Sequence, residues 1–287
     1  MGGESAESVT PYIQRVQPNV LTNLPPRVAK GEHMLDIRLF AETSEKSDRP
    51  NVRVRVPEGF SIIGGGAKVD WNGSDAGQLL VASIPEDEHT WFAESKAHAV
   101  SSPATITAYA IAIANPRGEH WQVAYFRNTN GPGSRPTAVV RIEEGFVLTG
   151  GGARVVTNDE VGQLLVASFP RDSVSWEARS KDHIVSSPGT LTACAIGVKA
   201  KTSTTFPQTK IFTATSPQSD APQITLTVDD HFIITGGGAR INWHDPEPGN
   251  LLVASSPQGQ NAWFVRSKDH AAVSPASITA FAVTIPA

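Results

Sequence analysis

Gly236-Gly237-Gly238-Ala239, then Leu251-Leu252-Val253-Ala254-Ser255, Trp263, Ser267-Lys268-Asp269-His270 and Ser274-Pro275-Ala276-Ser277-Ile278-Thr279-Ala280 follow one another within residues 236–280. The same series occurs twice earlier. In the middle of the chain it reads Gly150-Gly151-Gly152-Ala153, Leu164-Leu165-Val166-Ala167-Ser168, Trp176, Ser180-Lys181-Asp182-His183 and Ser187-Pro188. Nearer the start it reads Gly64-Gly65-Gly66-Ala67, Leu79-Leu80-Val81-Ala82-Ser83, Trp91, Ser95-Lys96-Ala97-His98 and Ser102-Pro103. A repeat of this length decides the architecture before any single motif does.

The period is 86 residues: Phe40, Phe126 and Phe212 keep it (126 − 40 = 86; 212 − 126 = 86), as do Pro50, Pro136 and Pro222 and the first glycine of each triplet. Beyond the glycines the histidines are spaced by 85 and 87 (183 − 98 and 270 − 183), so the loop before Leu-Leu-Val-Ala-Ser varies by a residue between copies. The chain divides into an extended N-terminal arm, 1–30, and three repeats, 31–116, 117–202 and 203–287, all within one domain. The arm carries Pro11, Pro18, Pro25 and Pro26 and matches nothing later. Its stretch Asn19-Val20-Leu21-Thr22 is a candidate edge strand.

Each repeat reads as strands and turns. Ile224, Leu226 and Val228 alternate with Thr225 and Thr227, the period-2 pattern of a strand with one buried face. Capped stretches of helical period are missing. The closing strand of each repeat, such as Ile106-Thr107-Ala108-Tyr109-Ala110-Ile111, is apolar on both faces and is expected near a central axis. The fold class expected is all-β: one globular body of three repeats with pseudo-three-fold symmetry. A β-prism-like arrangement, three sheets around an axis, comes first. A β-trefoil-like body and three separate small β domains are the alternatives.

Composition agrees. Of 287 residues, 39% are hydrophobic and only 18% charged, while Gly (24) and Pro (21) are frequent, which suits a turn-rich β protein. The net charge of −4, with no Lys/Arg run, offers no electrostatic footprint for nucleic acid. Cys194 is the single cysteine, so no internal disulfide or cysteine metal site is expected; in its apolar run it reads as a buried thiol. No apolar run reaches the ~18 residues of a transmembrane helix, and the first 30 residues lack the order of a signal peptide. The expected location is cytoplasmic, or outside the cell after release without a cleaved signal peptide.

The combination of Gly-Gly-Gly-Ala, Leu-Leu-Val-Ala-Ser-x-Pro, Trp, Ser-Lys-Asp-His and Ser-Pro-x-x-Ile/Leu-Thr-Ala resembles repeats in the β-prism-like, lectin-type C-terminal domains of some bacterial perforin-like (MACPF) proteins. The resemblance spans roughly residues 31–287. It implies a recognition module acting alone, because the repeats leave no room for a pore-forming domain.

The candidate site residues come from two places. The loop after the glycines holds Trp71 and Asp75 in repeat 1 and Trp243 and Asp245 in repeat 3, with Thr157 where the tryptophans stand. A tryptophan beside carboxylates and amides suits a sugar: the ring stacks on the pyranose face and the polar groups take hydroxyls. The competing reading is a ring lying over a sheet edge. The second set is Lys96 and His98, Lys181, Asp182 and His183, and Lys268, Asp269 and His270. As chemistry, this is an acid–base or anion-binding cluster, or three histidines meeting at a metal; as structure, it is a repeated turn in which histidine bonds backbone. Trp91, Trp176 and Trp263 read as core or inter-sheet packing. The triple glycines lack the Lys-Ser/Thr and the following helix of a phosphate loop, and read as bulges or close sheet contacts. No Gly-x-Ser-x-Gly elbow is present, and the paired acids Glu143-Glu144 and Asp229-Asp230 sit where hairpin turns are expected.

The function expected is thus non-catalytic recognition of glycans or cell-surface glycoconjugates, without cofactor or metal. A small-molecule enzyme with one pocket built from Lys, His and Asp is the alternative. A toxin or defence protein recognising a cell surface is the third reading.

Overall fold

A computed structural model describes residues 19–20, 35–70, 77–156, 162–202, 205–243 and 249–287. The chain is all-β, and its strands fall into three antiparallel sheets. A two-residue strand, β1 (Asn19–Val20), precedes the repeats. Repeat 1 contributes β2 (Ile37–Thr43), β3 (Asn51–Arg55), β4 (Phe60–Asp70), β5 (Gln78–Pro85), β6 (Thr90–Ala97) and β7 (Thr105–Ala114). After a 3-10 turn at Pro116–Gly118, repeat 2 contributes β8 (Trp121–Gly133), β9 (Thr137–Arg141), β10 (Val147–Val156), β11 (Leu164–Asp172), β12 (Ser175–Lys181) and β13 (Gly189–Ala200). Repeat 3 contributes β14 (Lys210–Thr215), β15 (Gln223–Thr227), β16 (Phe232–Trp243), β17 (Leu251–Pro257), β18 (Ala262–Lys268) and β19 (Ala276–Pro286). The arm residues Asn19 and Val20 pair with Ala41 and Phe40, so part of the candidate edge strand is an edge strand.

No sheet belongs to one repeat. The orders are β1-β2-β7-β4-β17-β18-β15, β3-β6-β5-β10-β13-β8 and β14-β19-β16-β11-β12-β9. Each repeat gives three strands to one sheet and three to another. The seam between repeats always joins a glycine strand to the Leu-Leu-Val-Ala-Ser strand of a neighbour: Lys68↔Ala254 and Ala67↔Ser255, Arg154↔Ala82 and Ala153↔Ser83, Arg240↔Ala167 and Ala239↔Ser168. This sharing alters one local expectation. Glu143-Glu144 and Asp229-Asp230 do lie at turns, with Phe146 and Phe232 donating back to Glu143 and Asp229. Those turns link strands of different sheets rather than the arms of a hairpin.

The three glycines of a triplet are required for three different reasons. A Cβ on Gly64 would meet the Thr235 carbonyl, one on Gly150 the Ile63 carbonyl at 2.8 Å, and one on Gly236 the Thr149 carbonyl at 2.6 Å, so here the glycine strands of all three repeats touch. A Cβ on Gly65, Gly151 or Gly237 would stand 2.6, 2.3 or 2.4 Å from the indole of Trp91, Trp176 or Trp263 of the same repeat. A Cβ on Gly66, Gly152 or Gly238 would collide at 2.4, 2.4 or 2.3 Å with the carbonyl of Ser255, Ser83 or Ser168 across the seam. The register also slips by one residue immediately before each triplet, between Ile62 and Gly64, Leu148 and Gly150, and Ile234 and Gly236. The triplets are both bulges and close contacts.

The closing strands β7, β13 and β19 were expected at the centre. They are buried on both faces, but each lies between the first strand of its repeat and the glycine strand. The strands that meet in the middle are β4, β10 and β16, because only glycine lets backbones approach so closely. Trp91, Trp176 and Trp263 are fully buried, and their indole N–H groups donate to Ser83, Ser168 and Ser255 at 3.2, 3.0 and 3.1 Å. A large apolar ring with its one polar atom satisfied is a strong core element.

Gly151→Ala should lower stability by about 3 kcal/mol, because neither the Trp176 ring nor the Cys194 carbonyl can yield. Gly133→Ala, where an added methyl meets nothing within 4 Å, should change it by less than about 0.5 kcal/mol. Urea unfolding midpoints at unchanged slope measure both.

Candidate functional site

The Ser-Lys-x-His block closes the strand that carries the buried tryptophan. Its serine is structural. Ser95 donates to the side-chain oxygen of Gln78 at 3.0 Å, Ser180 to Gln163 at 2.6 Å and Ser267 to Asn250 at 3.0 Å. The amide nitrogens of those side chains hold backbone carbonyls in turn: Gln78 donates to Asp48 and Ser102 at 2.9 Å, Gln163 to Gly133, and Asn250 to Ser274 at 2.5 Å. The residue before Leu-Leu-Val is therefore polar yet fully buried, with its side chain satisfied on both ends.

The lysines lie beneath the surface. Lys96, Lys181 and Lys268 are only 3%, 2% and 2% exposed. Lys181 shows what such a lysine does: its Nζ lies 5.6 Å from the ring centroid of Trp243, a residue of the next repeat. That indole donates to the Asn250 carbonyl at 3.3 Å and is half-buried. Trp243 thus has one partner in a cation–π contact. Burial, with the Arg135 guanidinium adding to it, lowers the Lys181 pKa to about 8. The next position, Ala97, Asp182 or Asp269, is half-buried, and its backbone N–H bonds the carbonyl of Asp48, Ser134 or Asp220. Burial and then the Asp220 carboxylate raise the Asp269 pKa.

The histidines meet. Their ring centroids form a nearly equilateral triangle, 5.3 Å for His98–His183, 5.2 Å for His98–His270 and 5.3 Å for His183–His270. All three are at most 2% exposed. His98 Nε2 bonds the His183 carbonyl at 2.9 Å and His183 Nε2 bonds the His270 carbonyl at 2.8 Å. His270 leans toward the His98 backbone, but its ring nitrogens form no hydrogen bond of good geometry. Among the described residues no group of three His, Cys, Asp or Glu side chains is arranged to hold a metal ion.

Directly after each histidine the chain turns through a left-handed residue: Ala99 (φ 61°), Ile184 (φ 64°) and Ala271 (φ 59°). A β-branched residue in that region, as at Ile184, is strained. In the first two repeats the turn closes within three residues, Val100 N–H to the His98 carbonyl at 2.8 Å and Val185 to His183 at 2.7 Å. Large apolar side chains are left in solvent here: Val100, Ile184, Val185 and Val273 are 59%, 63%, 48% and 76% exposed. Beside the first of these turns, a cleft of about 470 Å³ is lined by Asp48, Arg49, Lys96, Ala97, Ala99, Val100 and Ser101. Asp48 is held there by Ser101 and Ser102, and Arg49 by Glu94.

Trp243, Lys96, Lys181, Asp182, Lys268, Asp269 and the three histidines therefore lie at one end of the body, around the histidine turns; the Gly249 N–H bonds the Ser274 hydroxyl beside the third of them. Trp71, Asp75 and Asp245 fall outside the described residues. Sequence reasoning missed Gln78, Gln163 and Asn250, whose signal was a polar residue fixed before an apolar run in every repeat. Cys194 is buried, and burial pushes its thiol up to about 12. No family model matches the chain, and no curated protein matches it.

Gln78→Leu keeps the volume but abandons the Ser47, Asp48 and Ser102 carbonyls and the Ser95 hydroxyl; it should cost about 2–3 kcal/mol in thermal or urea unfolding. A second expectation follows from Lys181. Folded, it releases its proton near pH 8; unfolded, near the ordinary 10.5. Between these values the unfolded chain binds more protons, so the Lys181 contribution to stability rises with pH across that window. Lys181→Met should flatten this part of the stability–pH curve.

Proposed function

We propose that this chain is a non-catalytic recognition protein: a β-prism-like body with pseudo-three-fold symmetry whose loop end binds glycans or cell-surface glycoconjugates. The observation that carries the reading is the gathering of candidate groups from all three repeats at one end of a rigid sheet body. Three open sheets, each with two edges, support a prism-like description over a trefoil, which closes a barrel. The resemblance of the repeats to the lectin-type C-terminal domains of perforin-like proteins points the same way.

The chemistry divides among the repeats. Trp243 offers an aromatic ring held by Lys181 near its centroid and by the Asn250 carbonyl at its N–H edge, which lowers the entropy cost of stacking a sugar on it. Asp182 and Asp269, half-buried at the rim, are acceptors for hydroxyls. Repeat 1 has Ala97 instead, and the cleft beside Asp48 and Arg49 opens there. Its volume suits one or two sugar rings. The imidazoles lie below this surface, so a ligand meets the turns above them first. Weak sites on one rigid body gain strength when a ligand presents several epitopes at once.

The three sites are not equivalent. Position 48 and its counterparts are Asp48, Ser134 and Asp220, and position 49 and its counterparts are Arg49, Arg135 and Ala221. Three different rims suit a branched or mixed glycan better than a homopolymer.

Binding on a broad glycan array, followed by solution titration of the best hit, tests the proposal. Trp243→Ala should weaken affinity about tenfold, the value of one aromatic stacking contact, and Trp71→Ala with Trp243→Ala should weaken it further. An empty array, or unchanged affinity in the double variant, overturns the reading.

A further inference from the structure

We propose that the His98–His183–His270 cluster is an acid-sensitive latch that holds the three rim turns closed while its rings are neutral and releases them when they are protonated. The cluster occupies the base of every turn at the loop end. Each ring follows the buried lysine by two residues and precedes the left-handed residue by one. In two of the three contacts an imidazole Nε2 faces the carbonyl of the next histidine in the triangle. A carbonyl only accepts, so Nε2 carries the hydrogen and the neutral ring has its lone pair on Nδ1.

Protonation would place a second N–H and a full charge on each ring. At His270 the Nδ1 atom is buried and makes no hydrogen bond. The other rings stand 5.2–5.3 Å away, so charging two of them sets like charges side by side. The groups acting on His270 have one sign: His98, His183 and Lys268 all oppose its protonation, and only the His98 backbone favours it. Lys96 and Lys181, buried upstream of the other two rings, extend this positive surround. The nearby acids serve elsewhere. Asp48 is bonded to Ser101 and Ser102, while Asp269 interacts with Asp220 and Lys268. Arg49 and Arg135 stand on the rim, with Arg135 bearing on Lys181 and Asp182 beside it.

Burial, and then the neighbouring imidazoles, depress the His270 pKa to about 4 from the ordinary 6.5. The closed state binds fewer protons than the opened state between pH 6.5 and 4, so closure is fully favoured above that window and weakens as pH falls through it. The turns are suited to yield: they are strained at Ala99, Ile184 and Ala271, expose aliphatic tips, and lie outside the seams that join the repeats.

Amide hydrogen exchange on the full chain, corrected for the intrinsic pH dependence of exchange, measures the latch. Between pH 7 and pH 4 the protection of the Val100 and Val185 amides, which close the first two turns, should fall on the order of a hundredfold, which is what a shift from 6.5 to about 4 predicts at one ring. Amides of β4, β10 and β16 should keep their protection. The triple variant His98→Gln, His183→Gln, His270→Gln should lose the acid response of the turns. If that variant does not fold, imidazole nitrogen shifts of the wild type decide instead: a His270 ring that charges near 6.5 with the turns still protected overturns the latch. Turn protection that is equal at both pH values overturns it too, as does loss of the response in Asp182→Asn with Asp269→Asn, which would assign it to the carboxylates. None of these readouts requires a glycan, so failure of the latch and failure of the recognition reading are separable.

Discussion

The indole of Trp91 lies on Gly65, and its N–H holds Ser83. The carbonyl of Ser83 occupies the space that a side chain on Gly152 would need, and Gly152 belongs to the next repeat. There the sequence of contacts starts again with Gly151, Trp176 and Ser168, which presses on Gly238; then Gly237, Trp263 and Ser255, which presses on Gly66. The circuit closes on the residue beside its starting point. Every seam between repeats depends on it, because a displaced tryptophan moves its serine and the serine moves the neighbouring glycine strand. Close packing of this kind transmits displacement rather than absorbing it.

The circuit also explains how the loop end can carry expensive groups. Three lysines and three histidines are buried there within a few residues of one another. Buried cations, and ring nitrogens without a partner as at His270, work against folding. The sheet body tolerates them because the glycine–tryptophan circuit and the Gln78, Gln163 and Asn250 amides fix the strand ends from which these side chains project. The rim above is not uniform. Ile63 occupies the place where Thr149 and Thr235 donate a hydroxyl to the neighbouring strand, so the circle of contacts Thr149 to Ile63 and Thr235 to Thr149 lacks its third member. Repeat 1 thus differs near the centre as well as at Ala97.

Much of this was legible from residue spacing. The 86-residue period, the all-β class, the packing role of the second tryptophans and the two roles of the glycines each depend on local geometry that repeats faithfully. The pairing of strands across repeats was not legible. A glycine strand followed by Leu-Leu-Val-Ala-Ser reads identically whether the two pair with each other or with neighbours, since the alternation of side chains is the same in both cases. The histidine triangle was foreseen only as one possibility among several, because three residues 85 and 87 apart carry no mark of their mutual distance. Trp243 illustrates the opposite limit: read as a loop residue, it is the last residue of β16, paired with Ala276, and the lysine beside it comes from another repeat.

Sharing every sheet has a temporal consequence for a chain made from its N-terminus. Strands β5 and β10 are synthesised close together and can pair early, whereas β4 must wait for β17, whose Ala254 pairs with Lys68 across 186 intervening steps of sequence (254 − 68). Until then the Gly64–Gly66 edge is an open template for any extended strand, including one on a second nascent copy. Contacts of such long range form slowly, and domains exposed in this way are prone to exchange elements between chains. The last seam to close is therefore the point at which this protein is most exposed to misassembly.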